Sequence, residues 1–298
     1  MDARACLRSM RLRTLPLSLA GITLGVFLAA GEQAVRPLTV LLLALTTVCL
    51  QILSNLSNEL GDTLHGTDRS DRQGIHYSIQ DGLMSVPEMK RLIAVMAVLS
   101  CLCGFGMVWS AFGSPLKPLA LAFLVLGAAA VWAAMHYTLG RNPYGYRGLG
   151  DIFVFVFFGL ATVCGGYYLT GLHWSWRILL PAAAIGCFSV AVLNVNNIRD
   201  MKSDAATRTT VALRLGERRA RIYQTLLISA GWILMTVFCL LPPVSAWRFL
   251  YALSLPGFIL HLIGVWRLRD RALDPMLPLL VLSSFAFALL GGLGFLLS

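Results

Sequence analysis

Residues 194–204 read NVNNIRDMKSD, amides and charges that follow directly on the apolar run 178–193, in which Ser189 is the only polar side chain. At the helical period, Asn194, Asn197, Asp200 and Asp204 share an arc of about 120°. Two carboxylates stacked four residues apart repel by roughly 0.2–0.5 kcal/mol even on an open helix. Such a face asks for a positive partner, and a divalent cation is the obvious candidate. The competing reading is a solvated helix end in which Arg199 and Lys202 supply the counter-charge, and a bare DxxxD spacing does not choose between the two.

A second stretch, residues 51–72, QILSNLSNELGDTLHGTDRSDR, repeats the design, with Asn55, Asn58 and Asp62 on one helical face. Asp68 would point about 120° away from Asp62 on a continuous helix, so the chain must bend for both to reach one ion, and Gly61 and Gly66 suit a bend. Mg2+ takes oxygen ligands, typically one or two carboxylates together with substrate phosphates and water. Two Asn/Asp clusters at equivalent membrane depth therefore fit two carboxylate-bound ions bridged by one diphosphate.

The elements that position these clusters are apolar. Of 298 residues, 57% are hydrophobic and 13% charged, against about 25% charged in soluble domains. A membrane span needs about 20 apolar residues, and nine candidates are found, at 15–31, 37–57, 92–112, 117–139, 152–171, 177–196, 222–241, 247–266 and 276–297. The expected fold class is all-α, a polytopic membrane bundle of nine transmembrane helices, with residues 1–298 forming a single domain and the active site at the cytoplasmic mouth. The first span reads as an uncleaved helix rather than a signal peptide, because of its Leu15-Pro16 start and the eight spans after it. Of the 24 Lys and Arg, all but Arg36, Lys117, Arg177 and Arg248 fall on the N-terminal side of the membrane, as do all 14 acidic residues except Glu32. Positive-inside bias then places the N-terminus in the cytoplasm and the C-terminus on the opposite side. The net charge of +10 is accounted for by cytoplasmic loops, and no nucleic-acid partner is expected. The seven cysteines are scattered through apolar runs without CxxC or His spacing and read as small buried hydrophobes. Intramembrane-edge acids also mark ion paths, so a cation transporter or channel is the different-class alternative; the acids gather at one face, however, and no charge sits at mid-span to relay an ion.

The Asn58-x3-Asp62-x5-Asp68 cluster and Asp200-x3-Asp204 resemble the two aspartate-rich motifs of the UbiA superfamily of intramembrane prenyltransferases. RLRTLPLSLAG at 11–21, NPYGYRGLGDIFVFVFFG at 142–159, and NNIRD followed by TRTTVALRLG ending at Gly216 narrow the resemblance to the branch acting on 1,4-dihydroxy-2-naphthoate in menaquinone biosynthesis. The resemblance implies a bacterial inner-membrane enzyme that transfers a polyprenyl group from polyprenyl diphosphate to 1,4-dihydroxy-2-naphthoate, with loss of carbon dioxide, giving demethylmenaquinone and diphosphate. A prenyltransferase for another aromatic acceptor such as 4-hydroxybenzoate is the runner-up. The expected metal ligands are Asp62 and Asp68 for one Mg2+ and Asp200 and Asp204 for the other, with Asn58 and Asn197 as nearby amides. Arg11, Arg147, Lys202 and Arg208 are the expected diphosphate contacts, the bland alternative for each arginine being a positive-inside anchor. Tyr144 is expected to stabilise the allylic cation or orient the acceptor, and is preferred over Tyr146, since both also suit a membrane-interface belt. The sequence departs from the family at Glu59, where Asp is usual, and Glu59 is not counted as a ligand. His65, His76 and His136 are left out as interface residues, and Phe153, Phe155, Phe157 and Phe158 are candidates to line a prenyl tunnel open to lipid.

Overall fold

In hydrocarbon no water is present to satisfy a backbone N–H or C=O, so each apolar run must close its hydrogen bonds within itself as a helix. The computed structural model describes residues 3–66 and 77–298; Asp68 and His76 lie outside the described residues. Among those described, nine helices are long and apolar enough to cross a membrane: α1 (Arg4–Glu32), α2 (Pro37–Leu64), α3 (Val86–Phe112), α4 (Pro118–His136), α5 (Gly150–Gly171), α6 (Trp176–Arg199), α7 (Glu217–Leu240), α8 (Ala246–Arg267) and α9 (Asp270–Leu296). Pro37 and Pro118 stand first in their helices, where a missing N–H costs nothing. The start of α3 is set by a capping box, in which the Ser85 hydroxyl accepts from the Glu88 N–H while the Glu88 carboxylate accepts from the Ser85 N–H at 2.9 Å.

The structure lengthens two of the expected spans in ways that matter. α1 begins well before residue 15 but is broken at Arg11, whose φ of 49° lies in the left-handed region. α2 runs for 28 residues, past the end of the apolar stretch at 57, so Asn58, Glu59 and Asp62 stay on the helix. Gly61 does not bend the chain as expected. It remains helical because Thr138 packs on it, and a Cβ there would meet the Thr138 carbonyl oxygen at 2.6 Å. The chain leaves α2 at Gly66, with φ 67°.

Lipid tails are as apolar as leucine, so helices associate through close packing rather than through a hydrophobic driving force. α1 approaches α5 where Gly25 faces the Val163 carbonyl, and α5 approaches α6 where Gly159 faces Gly186. Around these contacts Leu24, Leu28, Tyr167, Ile185, Phe188 and Phe287 form the main core, and a second core of Leu53, Leu56, Met89 and Ile93 joins α2 to α3. α4 packs on α2 and α3 but barely touches α5. The two meet at one end through the stack of Phe123 on Tyr168, with ring centroids 5.8 Å apart. Between them α5 widens into a π-helical stretch, Phe155–Ala161, a distortion frequent at functional sites. Replacing Gly159 by Leu drives a side chain into α6 and is expected to cost about 1–3 kcal/mol, read as a lowered thermal midpoint in detergent; an unchanged midpoint contradicts the close approach.

Candidate active site

The last turns of α2, the α4–α5 connection and the α6–α7 connection converge at one end of the bundle. Asp62, Asp200 and Asp204 are 4%, 0% and 2% exposed. Buried carboxylates need partners, and Arg208 supplies one to both clusters at once. Its guanidinium lies 2.7 Å from Asp204 Oδ1, one helical turn back, and 3.9 Å from Asp62 Oδ1 across the interface. Burial alone would depress its pKa, but the Asp204 and Asp62 charges outweigh that and hold it above the ordinary guanidinium value. The Tyr146 hydroxyl donates to Asp62 Oδ1 at 2.8 Å. Tyr146 is held there by its backbone, because the Thr209 N–H donates to the Tyr146 carbonyl at 2.9 Å beside an isolated bridge between Arg147 and Thr209. The two connections are thereby stitched together over the carboxylates.

The arc from Asn194 to Asp204 is divided among different neighbours. Asn194 turns to α7, donating to the Ala220 carbonyl at 3.0 Å and to Gln224 Oε1 at 2.8 Å. Asn197 is buried. Asp200 is gripped by a fork from Arg199, Nε at 2.8 Å and Nη2 at 2.6 Å, while Arg199 Nη1 reaches Asp274 at 2.8 Å. Asp200 can reach an ion only through the lone pairs the fork leaves. Lys202 points to the surface, 76% exposed, and pairs with Asp270 at 2.8 Å, so its contact is with the start of α9 rather than with the carboxylate cluster. Arg147 is exposed, and its carbonyl accepts from Arg214 at 3.2 Å. Arg11 is held differently: its left-handed backbone turns the guanidinium over the Tyr77 ring, 3.6 Å from the centroid, and its Nε and Nη2 are buried without a hydrogen-bond partner among the described residues. Asn55 is structural, joining α2 to the Met10 carbonyl and the Thr14 hydroxyl at the break in α1. Glu59 is fully buried, and its Oε1 accepts from the Ile79 N–H at 3.0 Å. Its carboxylate thus contacts the 77–84 segment.

A cavity of about 300 Å³ runs from this end into the bundle between α1, α2, α4 and α5. Asn58, Tyr137 and Tyr144 stand at its polar end, and Ile22, Leu43, Met107, Phe123, Phe157 and Leu169 line its depth. Phe153, Phe157 and Phe158 face it, as a prenyl-lining role requires, whereas Phe155 packs on Gly186 of α6. The Tyr144 hydroxyl donates to the Ala133 carbonyl at 2.7 Å, and its ring stacks on Phe153 at 3.9 Å, so what it can present to a ligand is ring. Burial, with Tyr137 adding to it, raises its pKa. The Tyr137 hydroxyl lies so close to Gly150 that a Cβ there would be 3.0 Å away. Burial pushes this phenol up to about 12, Arg208 opposing the rise and Asp62 adding to it. The sequence does not single out Tyr137, at the end of α4, and ranks Tyr146 below Tyr144, because no spacing rule shows which phenol reaches a carboxylate on α2; the structure brings Tyr146 to Asp62.

A model of the "UbiA prenyltransferase family" matches residues 18–285. The chain belongs to this family. This UbiA-family prenyltransferase is 40% identical over 297 residues to 1,4-dihydroxy-2-naphthoate octaprenyltransferase of Escherichia coli (strain K12), covering 99% of this chain and 96% of the relative. It is 36% identical over 243 residues to the enzyme of that name from Mycobacterium tuberculosis, covering 79% and 80% of the two chains. The fold matches the apo structure of a UbiA homologue from Aeropyrum pernix K1, with TM-score 0.71 at 16% identity over 93% of this chain and 96% of that one. It also matches a UbiA homologue from Archaeoglobus fulgidus bound to DMAPP and Mg2+, with TM-score 0.65 at 16% identity over 96% and 99%. At these identities the structural likeness establishes the fold. For the prenyltransferase, Tyr146→Phe removes the hydrogen bond that orients Asp62 and is expected to lower turnover about 10- to 100-fold, while Tyr144→Phe, which loses only a bond to a helix carbonyl, falls by less. Steady-state rates of the two variants check this, and the opposite order refutes it.

Proposed function

We propose that this prenyltransferase transfers a polyprenyl group from polyprenyl diphosphate to 1,4-dihydroxy-2-naphthoate, with Mg2+ and loss of carbon dioxide. The observation that carries the reading is that buried aspartates from both motifs gather around Arg208 at one end of the bundle, where Asn58, one turn before Asp62, lines an apolar cavity between α4 and α5. The names of the relatives support the acceptor, and the Mg2+ and DMAPP bound to the Archaeoglobus homologue support the metal and the diphosphate.

The donor set fits Mg2+. A buried cation, the Arg208 guanidinium, already stands between carboxylates of the two clusters, and hard oxygen donors are what this ion takes. Asp62 with Asp68 would hold one ion and Asp200 with Asp204 the other, Arg199 fixing the orientation of Asp200. An ion held by these carboxylates would supply positive charge against the charge that grows on the leaving diphosphate. Arg11, with two buried nitrogens that have no hydrogen-bond partner among the described residues, and Arg208 would add donors to the same charge, which favours the transition state over the ground state. The rings of Tyr144 and Phe153 offer π-faces to the allylic cation, and Asn58, half in the cavity and one turn before Asp62, lies beside the reacting end. The prenyl carbon–oxygen bond breaks with its electron pair leaving on diphosphate. The electron-rich ring forms the new carbon–carbon bond at its carboxyl-bearing carbon, and carbon dioxide departs, leaving its bonding pair to restore the aromatic ring. The product is the quinol form of demethylmenaquinone. The whole chain, 1–298, acts as one domain in the bacterial inner membrane, with the N-terminus and the site on the cytoplasmic side and the C-terminus opposite.

Purified protein given Mg2+, a polyprenyl diphosphate and a panel of acceptors should release diphosphate and carbon dioxide with the naphthoate; prenylation of 4-hydroxybenzoate instead, or no turnover alongside Mg2+ flux in liposomes, refutes the proposal. Asp62→Ala and Asp204→Ala are each expected to lose at least about 100-fold in turnover, roughly 2.7 kcal/mol of barrier, with insertion intact. Lys202→Ala and Glu59→Gln should be far milder. For Asp200 the informative change is Asn rather than Ala, because Ala also removes the fork of Arg199 and leaves that buried guanidinium with Asp274 and Asn196, a defect of about 1.5–3 kcal/mol that would lower the thermal midpoint as well as the rate.

A further inference from the structure

Arg208 is a donor to the diphosphate in the proposed reaction, yet the structure shows it engaged elsewhere, on Asp204 at 2.7 Å and toward Asp62 at 3.9 Å. Its side chain is 8% exposed, and its Nε has no hydrogen-bond partner among the described residues. The guanidinium is therefore pinned from one end by the carboxylates. Two buried negative charges from different helices must be neutralised in every state of the site, before substrate arrives as well as after. Arg208 stands between them as one neutralising cation, and a metal ion cannot occupy the space it fills.

We propose that Arg208 is a built-in placeholder for the metal: it neutralises Asp62 and Asp204 in the free enzyme and gives them up when Mg2+ enters with the diphosphate, to which its guanidinium then turns. This rests on the Mg2+-dependent reading of the site and adds a consequence for the order of events. Metal alone must displace a buried guanidinium from its carboxylates without bringing it a new anion, so metal alone binds weakly. Metal with diphosphate supplies the displaced guanidinium with a new partner, so the two ligands bind together. The exchange needs only a side-chain swing, because the Arg208 N–H stays tied to the Asp204 carbonyl at 3.0 Å. A site wired this way does not fill with metal in the absence of its prenyl donor.

The test is Mn2+ binding, followed by its paramagnetic resonance in detergent-solubilised full-length protein, with and without inorganic pyrophosphate. Wild type is expected to bind Mn2+ weakly alone. Arg208→Gln, which vacates the space between the carboxylates, should bind Mn2+ alone at least tenfold more tightly while losing turnover, and pyrophosphate should strengthen its Mn2+ binding less than it does in wild type. Its thermal midpoint should be low without metal and recover with Mn2+. Arg208→Lys, whose ammonium reaches only one carboxylate, keeps the charge and should gain Mn2+ affinity by a smaller factor, which decides the matter if the Gln variant fails to fold. Unchanged or weaker Mn2+ binding in both variants overturns the placeholder. If wild type binds no Mn2+ even with pyrophosphate, the metal reading itself falls, a result distinct from the first.

Discussion

Two aspartates from separate helices, both almost wholly buried, face each other across an arginine. Like charges in such a setting cannot remain bare, since the low dielectric strengthens their repulsion and removes the water that would solvate them. Much else at this end of the bundle is arranged to hold that charge. Tyr146 donates to one carboxylate, the 204–208 turn brings Arg208 to the other, and the contact of residue 209 with the Tyr146 backbone keeps the two connections in register. Asp200 is stabilised separately by the Arg199 fork and, through it, by Asp274. These contacts fix the carboxylates in place, and in the proposed reaction that is the preorganisation on which electrostatic catalysis depends.

The bilayer imposes the second constraint. A long prenyl chain is as apolar as the surroundings of the bundle, so its chemistry requires a dry groove with a polar head, not a cleft facing water. The weak contact between α4 and α5 and the π-helical widening of α5 make such a groove, while the glycine contacts of α5 with α1 and α6 keep the rest of the bundle tight. Packing is close at the glycine contacts and looser along the cavity between α4 and α5.

The outline of the fold was readable because hydrocarbon admits few backbone solutions: apolar runs of sufficient length become helices, and charge asymmetry orders them. Ends were less readable. α2 continues through Asn58 and Asp62 because the 137–149 connection and the 77–84 segment cover it, and hydropathy along one chain cannot register cover supplied by another. Gly61 illustrates the same limit, since a glycine that permits a bend and one that permits close approach of Thr138 are identical in sequence.

By itself the sequence determined that this is a helical membrane protein with two carboxylate clusters at one face, because residue type, spacing and charge balance are local properties of the chain. Tertiary structure decided which of the polar residues belong together. Asn194 went to α7, Lys202 to Asp270, and Glu59 to the Ile79 N–H, while Tyr146 and Arg208 came to Asp62. The reason is that a helical face spanning about 120° touches more than one neighbour, and a charge buried there is paired by whichever partner the packing of distant segments brings within reach.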